Sequence, residues 1–405
     1  MARRTRLRLR GLAFTARSAD AVPPALLRRL DSLWAASTAL SNVDVVGVAA
    51  LQSQALLLAL EAGEPRRLAL ALAWEAVMTA TAGTAAAGRA AELLDLAKSL
   101  ADRVDHPQTT GMVLLSTGWV AFLHARYADA LATCAEAEQM FRSQCVGVWW
   151  ELLLARTLLA WGRAHAGQLS ELTACIREWE PEARVRGDHF IVTNLLAFAM
   201  PHERMLRNDI ATARAQLREA LALWPYEGFH LQHVSVLFSE GMLSLYTGDG
   251  ATACAAISAR WTTMVSSLQT QNQQTRVMLR DVRGRGALAA AAARIDPKRH
   301  LARAERDANS LDGEHAEWAS AFARRLRAGV ALARGDDVRA VEQLRDALPA
   351  LDRANLVLQS TAIRRRLGAL VGGDEGRILI ADAESLMRER GVVDFDAVTR
   401  LFAIP

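Results

Sequence analysis

His230 and His233, in the segment GFHLQH, are the closest approach this chain makes to a metal-binding pair. Residues i and i+3 share a helix face, so two imidazoles at that spacing can reach one ion. A zinc site needs a third and usually a fourth ligand, and the nearby acids Glu227 and Glu240 complete no recognisable set. Histidines at a helix start more often bond to backbone or to neighbouring elements, so no metal is expected. The two remain candidates for contact with a ligand or partner. Trp149 and Trp150 suggest another chemistry. Adjacent residues on a helix point to different faces, so one indole should be less buried and able to anchor a partner; otherwise both seal gaps between repeats.

Motifs for catalysis are missing. The sequence has no GxxxxGK[ST] loop, no Gly-rich kinase loop, no HRD or DFG tripeptide and no nucleophile elbow, so no enzyme activity and no cofactor are expected. GGDEG at residues 372–376 resembles the signature loop of diguanylate cyclases, but it falls between helical patterns rather than on a strand hairpin, with Gly376 where an aromatic would follow. It reads instead as a helix C-cap followed by the acidic start of the next helix. Cys134, Cys145, Cys175 and Cys254 are widely spaced within helical patterns, which suits small core residues better than disulfides or zinc.

The net charge of +4 invites a nucleic-acid reading. Lys98 and Lys298 are the only lysines, however, and acids are interspersed among the arginines almost everywhere, as on solvated helix faces. Denser clusters lie at residues 276–285 (RVMLRDVRGR) and at Arg364, Arg365 and Arg366. A helical-repeat protein that binds nucleic acid therefore stays as the alternative. The longest apolar runs are interrupted by Gln or Glu and fall short of a bilayer span, so no membrane segment is expected.

Positioning such residues requires elements, and the periodicity is helical throughout. Strand-like alternation is nearly absent and the chain has only 3 tyrosines, so an all-α fold is expected. The stretch 111–144 holds two apolar helical patterns around a tight break at Ala125-Arg126, with small residues where the helices would touch: Gly118 in the first, Ala130 and Ala137 in the second. This is the anatomy of a tetratricopeptide unit, with Tyr127 as its wedge. Similar breaks follow at Gly167, Asn208, Gly248 and Gly335, a further one at Asp296-Pro297, and one upstream at Gly63-Glu64-Pro65. The spacing of about 40 residues is longer than the roughly 34 of an ordinary tetratricopeptide repeat. A right-handed superhelical solenoid of stretched helix pairs is therefore expected over residues 21–366, with capping helices over 367–405. Residues 1–20, with Arg3, Arg4, Arg6, Arg8 and Arg10, read as a basic leader. Arg17 and Asp20 break any secretory core after it, so a cytoplasmic location and a solvated tail are expected.

Several blocks resemble the C-terminal repeat region of bacterial eukaryotic-like serine/threonine protein kinases. They are Val22-Pro23-Pro24 with Leu33-Trp34 and Ser41-Asn42-Val43-Asp44, QALLLALEAGEPRRLALA from Gln54, GVWWE from Gly147, GFHLQH from Gly228, LYTGDG from Leu245 and RRLGALVGGDEG from Arg365. The kinase and ATPase parts of that family have no counterpart here, so the resemblance implies the regulatory or sensing half alone, as a free-standing chain or as a fragment. It implies a scaffold in a kinase-linked signalling system. A protein, peptide or small signal molecule would lie in a concave groove lined by first helices. Trp119, Trp150, His233 and Arg324 are the expected inward-facing anchors, with Trp149 and His230 beside them.

Overall fold

The computed structural model describes residues 6, 7, 9–41 and 44–403, except for the side chain of Val45. Arg3, Arg4 and Arg8 of the basic leader, and Asn42 and Val43, lie outside the described residues. Among the described residues every regular element is helical. The chain forms two compact units, one of residues 1–124 and 129–159, the other of residues 125–128 and 160–405.

The N-terminal unit contains α1 (Pro24–Leu40), α2 (Val45–Ala62), α3 (Pro65–Ala80), α4 (Ala87–Val104), α5 (Pro107–Leu123), most of α6 (Tyr127–Gln144) and the start of α7 (Trp149–Ala166). Proline opens α1, α3 and α5, where its missing N–H would have had no intrahelical acceptor. Glu64 caps α3 by accepting from the backbone N–H groups of Arg66 and Arg67. Gly63 ends α2 in the left-handed region at φ 69°. A Cβ there would collide with Thr15 O, because residues 15–17 pass over this turn and the Arg17 N–H donates to Gly63 O at 2.9 Å. Leu7, also in the basic leader, is buried. Where α5 crosses α6, a Cβ on Gly118 would run into Cys134 Sγ and lie 3.2 Å from Cys134 N, so only glycine admits this approach. Ala130 and Ala137 are buried on the facing side.

The C-terminal unit takes the rest of α7, then α8 (Leu169–Val185), α9 (His189–Asn194), a π-helical turn (Leu195–Ala199) and α10 (Met200–Leu206). Next come α11 (Ile210–Leu223), α12 (Leu231–Tyr246), α13 (Gly250–Ser266), α14 (Gln273–Ala292), α15 (Pro297–Asp312) and α16 (Glu317–Ala333). The unit finishes with α17 (Asp337–Arg353), α18 (Val357–Val371), α19 (Gly373–Glu389) and α20 (Phe395–Phe402). Aspartates 188, 209, 249 and 336 cap α9, α11, α13 and α17 by accepting first-turn N–H groups. Gly167, Asn208, Gly248, Asp296 and Gly335 all take positive φ between consecutive helices. Along the chain the first helix of each pair begins at Pro24, Pro65, Pro107, Trp149, His189, Leu231, Gln273, Glu317 and Val357, with successive starts 40 to 44 residues apart. GGDEG is a helix junction. Gly372 is both the C-cap of α18 and the N-cap of α19, whose first turn holds Asp374 and Glu375. A Cβ on Gly376 would strike Gly368 O across that pair.

The last helix departs from expectation. The sequence pattern suggests an outer cap on the final pair, but α20 packs on α18 and on α12, far back along the chain. Gly391, at φ 77°, turns the chain after α19. The Val393 N–H then donates to Leu206 O at 3.1 Å, and Asp394 caps α20 through the Ala397 N–H. Ala397, Val398, Leu401 and Phe402, spaced at one helical face, are buried. That apolar stripe on so short a helix could not be left facing water.

Candidate functional site

In the N-terminal unit, four first helices each contribute one indole to a single cluster. Trp74 of α3 meets Trp119 of α5 and Trp150 of α7 edge to face, each with ring centroids 5.4 Å apart. Trp34 of α1 reaches Trp150 at 6.2 Å. Edge-to-face geometry sets the positive rim of one ring against the negative face of another, the favoured arrangement for aromatic pairs. Trp74 is 3% exposed, whereas Trp34, Trp119 and Trp150 are half-buried. The Nε1–H groups of Trp74 and Trp150 have no acceptor among the described residues. Both nitrogens are buried, so the missing acceptors are a cost to the fold, and neither donor is open to a ligand.

A polar relay flanks the cluster. Arg66 donates to Gln108 Oε1 at 3.1 Å, and Gln108 Nε2 donates to Glu151 Oε1 at 3.1 Å. Burial pushes the Glu151 carboxyl above the usual carboxylate range, against the opposing effect of hydrogen bonds from backbone and Gln108. Burial also raises the nearby Cys145 thiol, and Glu151 adds to the rise, so this is no activated nucleophile. Half-buried aromatic surface of this kind can bind and orient a chain.

The expected anchors separate in the structure. Trp119 and Trp150 come together through Trp74. Trp149 and Trp150 are both half-buried, so the expected contrast between them does not arise. His230 and His233 cap α12 in the other unit. There Trp224 Nε1–H donates to His230 Nδ1 at 3.1 Å, and the His230 N–H donates to His233 Nδ1 at 3.1 Å. Burial depresses the pKa of both rings. No group of three or more potential metal ligands occurs among the described residues. Arg324 is half-buried and donates to Asp346 O at 3.0 Å.

The residue beside it was missed. Arg325 is fully buried and pairs with Asp281 at 2.6 Å, and Asp281 also takes Arg285 at 2.8 Å. Beside Asp281 and Arg285 the C-terminal unit holds a cavity of about 20 Å³, lined also by His165, His202, Met242, Met278, Gln359 and Phe402. That is room for about one water. Burial holds His165 down to about 3, with His202 adding to the effect, and holds His202 down to about 4. His202 Nδ1–H donates to Phe198 O at 2.8 Å, which fixes its tautomer. Phe198 sits in the π-helical turn just before Pro201 and touches both imidazoles, with centroids 5.0 Å from His165 and 4.4 Å from His202. Tyr127, read from sequence as the wedge of its own hairpin, is fully buried in this unit, stacked on His165 and accepting from Gln274.

The arginine clusters are largely ion-paired. Arg276 and Arg280 share Glu314, Arg283 takes Asp307, Arg364 takes Asp352, and Arg365 takes Glu384 and Asp396. An open cleft of about 250 Å³ between α15, α16 and α17 mixes Arg327, Arg334 and Arg339 with Glu305 and Asp336. Neither arrangement forms a track of one sign.

No protein-family model matches this chain, and no curated protein matches it. No helix among the described residues is long and apolar enough to cross a membrane.

A cue to the missed residues was present in the sequence. Trp34, Trp74, Trp119 and Trp150 recur on successive first helices, and Asp281 is the one acid within the arginine-dense segment 276–285, four residues before Arg285.

Proposed function

We propose that this chain is a non-catalytic scaffold of tetratricopeptide-like helix pairs, a right-handed superhelical solenoid that binds a peptide segment of a partner protein. The observation that carries this is the indole cluster. Four first helices converge on it, and three of its rings keep exposed surface. Tryptophan is the residue most enriched among interface hot spots because it offers large rigid area at low entropic cost. The ligand that fits is an extended or helical peptide with an aliphatic or aromatic anchor that packs on the exposed ring surface. A role in a kinase-linked bacterial signalling system rests on the resemblance of the sequence blocks alone.

The test is binding of a displayed peptide library to the full chain and to Trp119→Ala. Enrichment of anchor-bearing peptides on the first but not the second supports the reading. Filter binding of RNA across a salt series tests the alternative, because a phosphate-tracking protein loses affinity steeply as salt rises. The ion pairing of the arginine clusters favours the scaffold.

A further inference from the structure

The inner triad of the C-terminal unit is unbalanced. Arg285 and Arg325 are both buried, and both lean on one carboxylate, Asp281. The surplus positive charge is met by α20: Arg285 donates to Leu401 O, and Arg325 Nη1 donates to Phe402 O at 2.8 Å. These carbonyls end a helix, where the dipole is negative, so α20 serves as a partial counter-ion. It serves incompletely. Arg325 Nε is buried with no acceptor among the described residues.

We infer that the face holding α20 is a docking groove for an amphipathic helix that ends in a carboxylate, and that α20 is its built-in occupant. The seat specifies its ligand. It takes apolar side chains at the spacing of Val398, Leu401 and Phe402. It offers Arg365 to an acid in the first turn, as it now does to Asp396, and two guanidinium groups to the C-terminal end. A carboxylate on those guanidiniums makes charge-assisted bonds that a neutral carbonyl cannot. The resident helix is 8 residues long, too short to be stable unaided, so its hold on the seat depends on the buried face of Ala397, Val398, Leu401 and Phe402 and on the Asp394 cap after the Gly391 turn. This inference is independent of the tryptophan cluster, which lies in the other unit.

The test uses the full chain and a fluorescein-labelled peptide of sequence VVDFDAVTRLFA, made with a free C-terminal carboxylate and as the amide. Asp394→Ala weakens the resident helix without touching the groove. Because apparent affinity scales with the open fraction, the acid peptide is expected to bind Asp394→Ala about fivefold more tightly than the unmutated chain. The amide should bind at least fivefold more weakly than the acid, and Arg325→Met should erase that difference. Hydrogen exchange of the unmutated chain gives a readout that no substitution can spoil: amides of α20 should exchange at least tenfold faster than those of α12 and α14. Equal protection of the three helices, or equal binding of acid and amide, would overturn the inference.

Discussion

Arg325 and Asp281 form an ion pair at 2.6 Å in which both side chains are buried. Breaking a buried pair leaves a charge with no water and no partner, at a cost of about 3–5 kcal/mol. Asp281→Asn strands two guanidiniums at once, whereas Arg325→Met leaves Asp281 balanced by Arg285. Urea denaturation should therefore show Asp281→Asn as the more destabilised variant. The opposite order would mean that the triad does not carry the charge imbalance described.

Histidine 202 makes the C-terminal unit acid-sensitive. Its pKa falls from about 6.5 in the unfolded chain to about 4 when folded, because burial disfavours the charged ring. Between these values the unfolded chain binds the extra proton, so stability is intact above about pH 6.5 and falls as the pH drops towards 4. For this ring alone the loss at pH 5 is about 2 kcal/mol. His202→Gln should flatten the pH dependence of the melting temperature between pH 7 and 5 relative to the unmutated chain. Parallel curves would show that His202 titrates normally.

Glycine 118 sets the α5–α6 crossing. Gly118→Val should cost about 1–3 kcal/mol by overpacking against Cys134. Adding Cys134→Ala should recover only part of this, because Cys134 N and Ala130 O also lie within 3.3 Å of the added Cβ. Thermal melts of the single and double variants measure both effects. Full recovery would place the strain on the sulfur alone.

Much of the local architecture was legible in the sequence because it is written in short-range chemistry. Glycine and asparagine mark left-handed turns, aspartate marks caps, and Gly118 with Ala130 and Ala137 marks a close crossing; each works within one hairpin. The long-range facts were not legible in this way. Periodicity could not say that α20 returns to α12, since an amphipathic stripe names no partner. Nor could it separate Arg324, near the surface, from Arg325 at the centre of a buried triad, because neighbouring residues on a helix differ only in phase. The cluster of tryptophans sits between these cases: its recurrence was visible, but contact between Trp34 and Trp150 depends on the packing of whole helices.

Trp74 should behave as the structural centre of that cluster and Trp119 as part of its rim. Truncating a large buried aromatic costs about 3–5 kcal/mol, so Trp74→Ala should strongly destabilise the N-terminal unit in denaturant titrations, and Trp119→Ala should do so much less. Equal losses would place Trp119 in the core rather than on a binding surface.

Affinity for peptides selected on the full chain, measured by fluorescence anisotropy against the unmutated protein and a folded Trp119→Ala variant, tests the scaffold reading most directly. The account predicts at least a tenfold loss in the variant with the melting temperature nearly unchanged. Equal affinity for both proteins, or no selectable peptide at all, would contradict it.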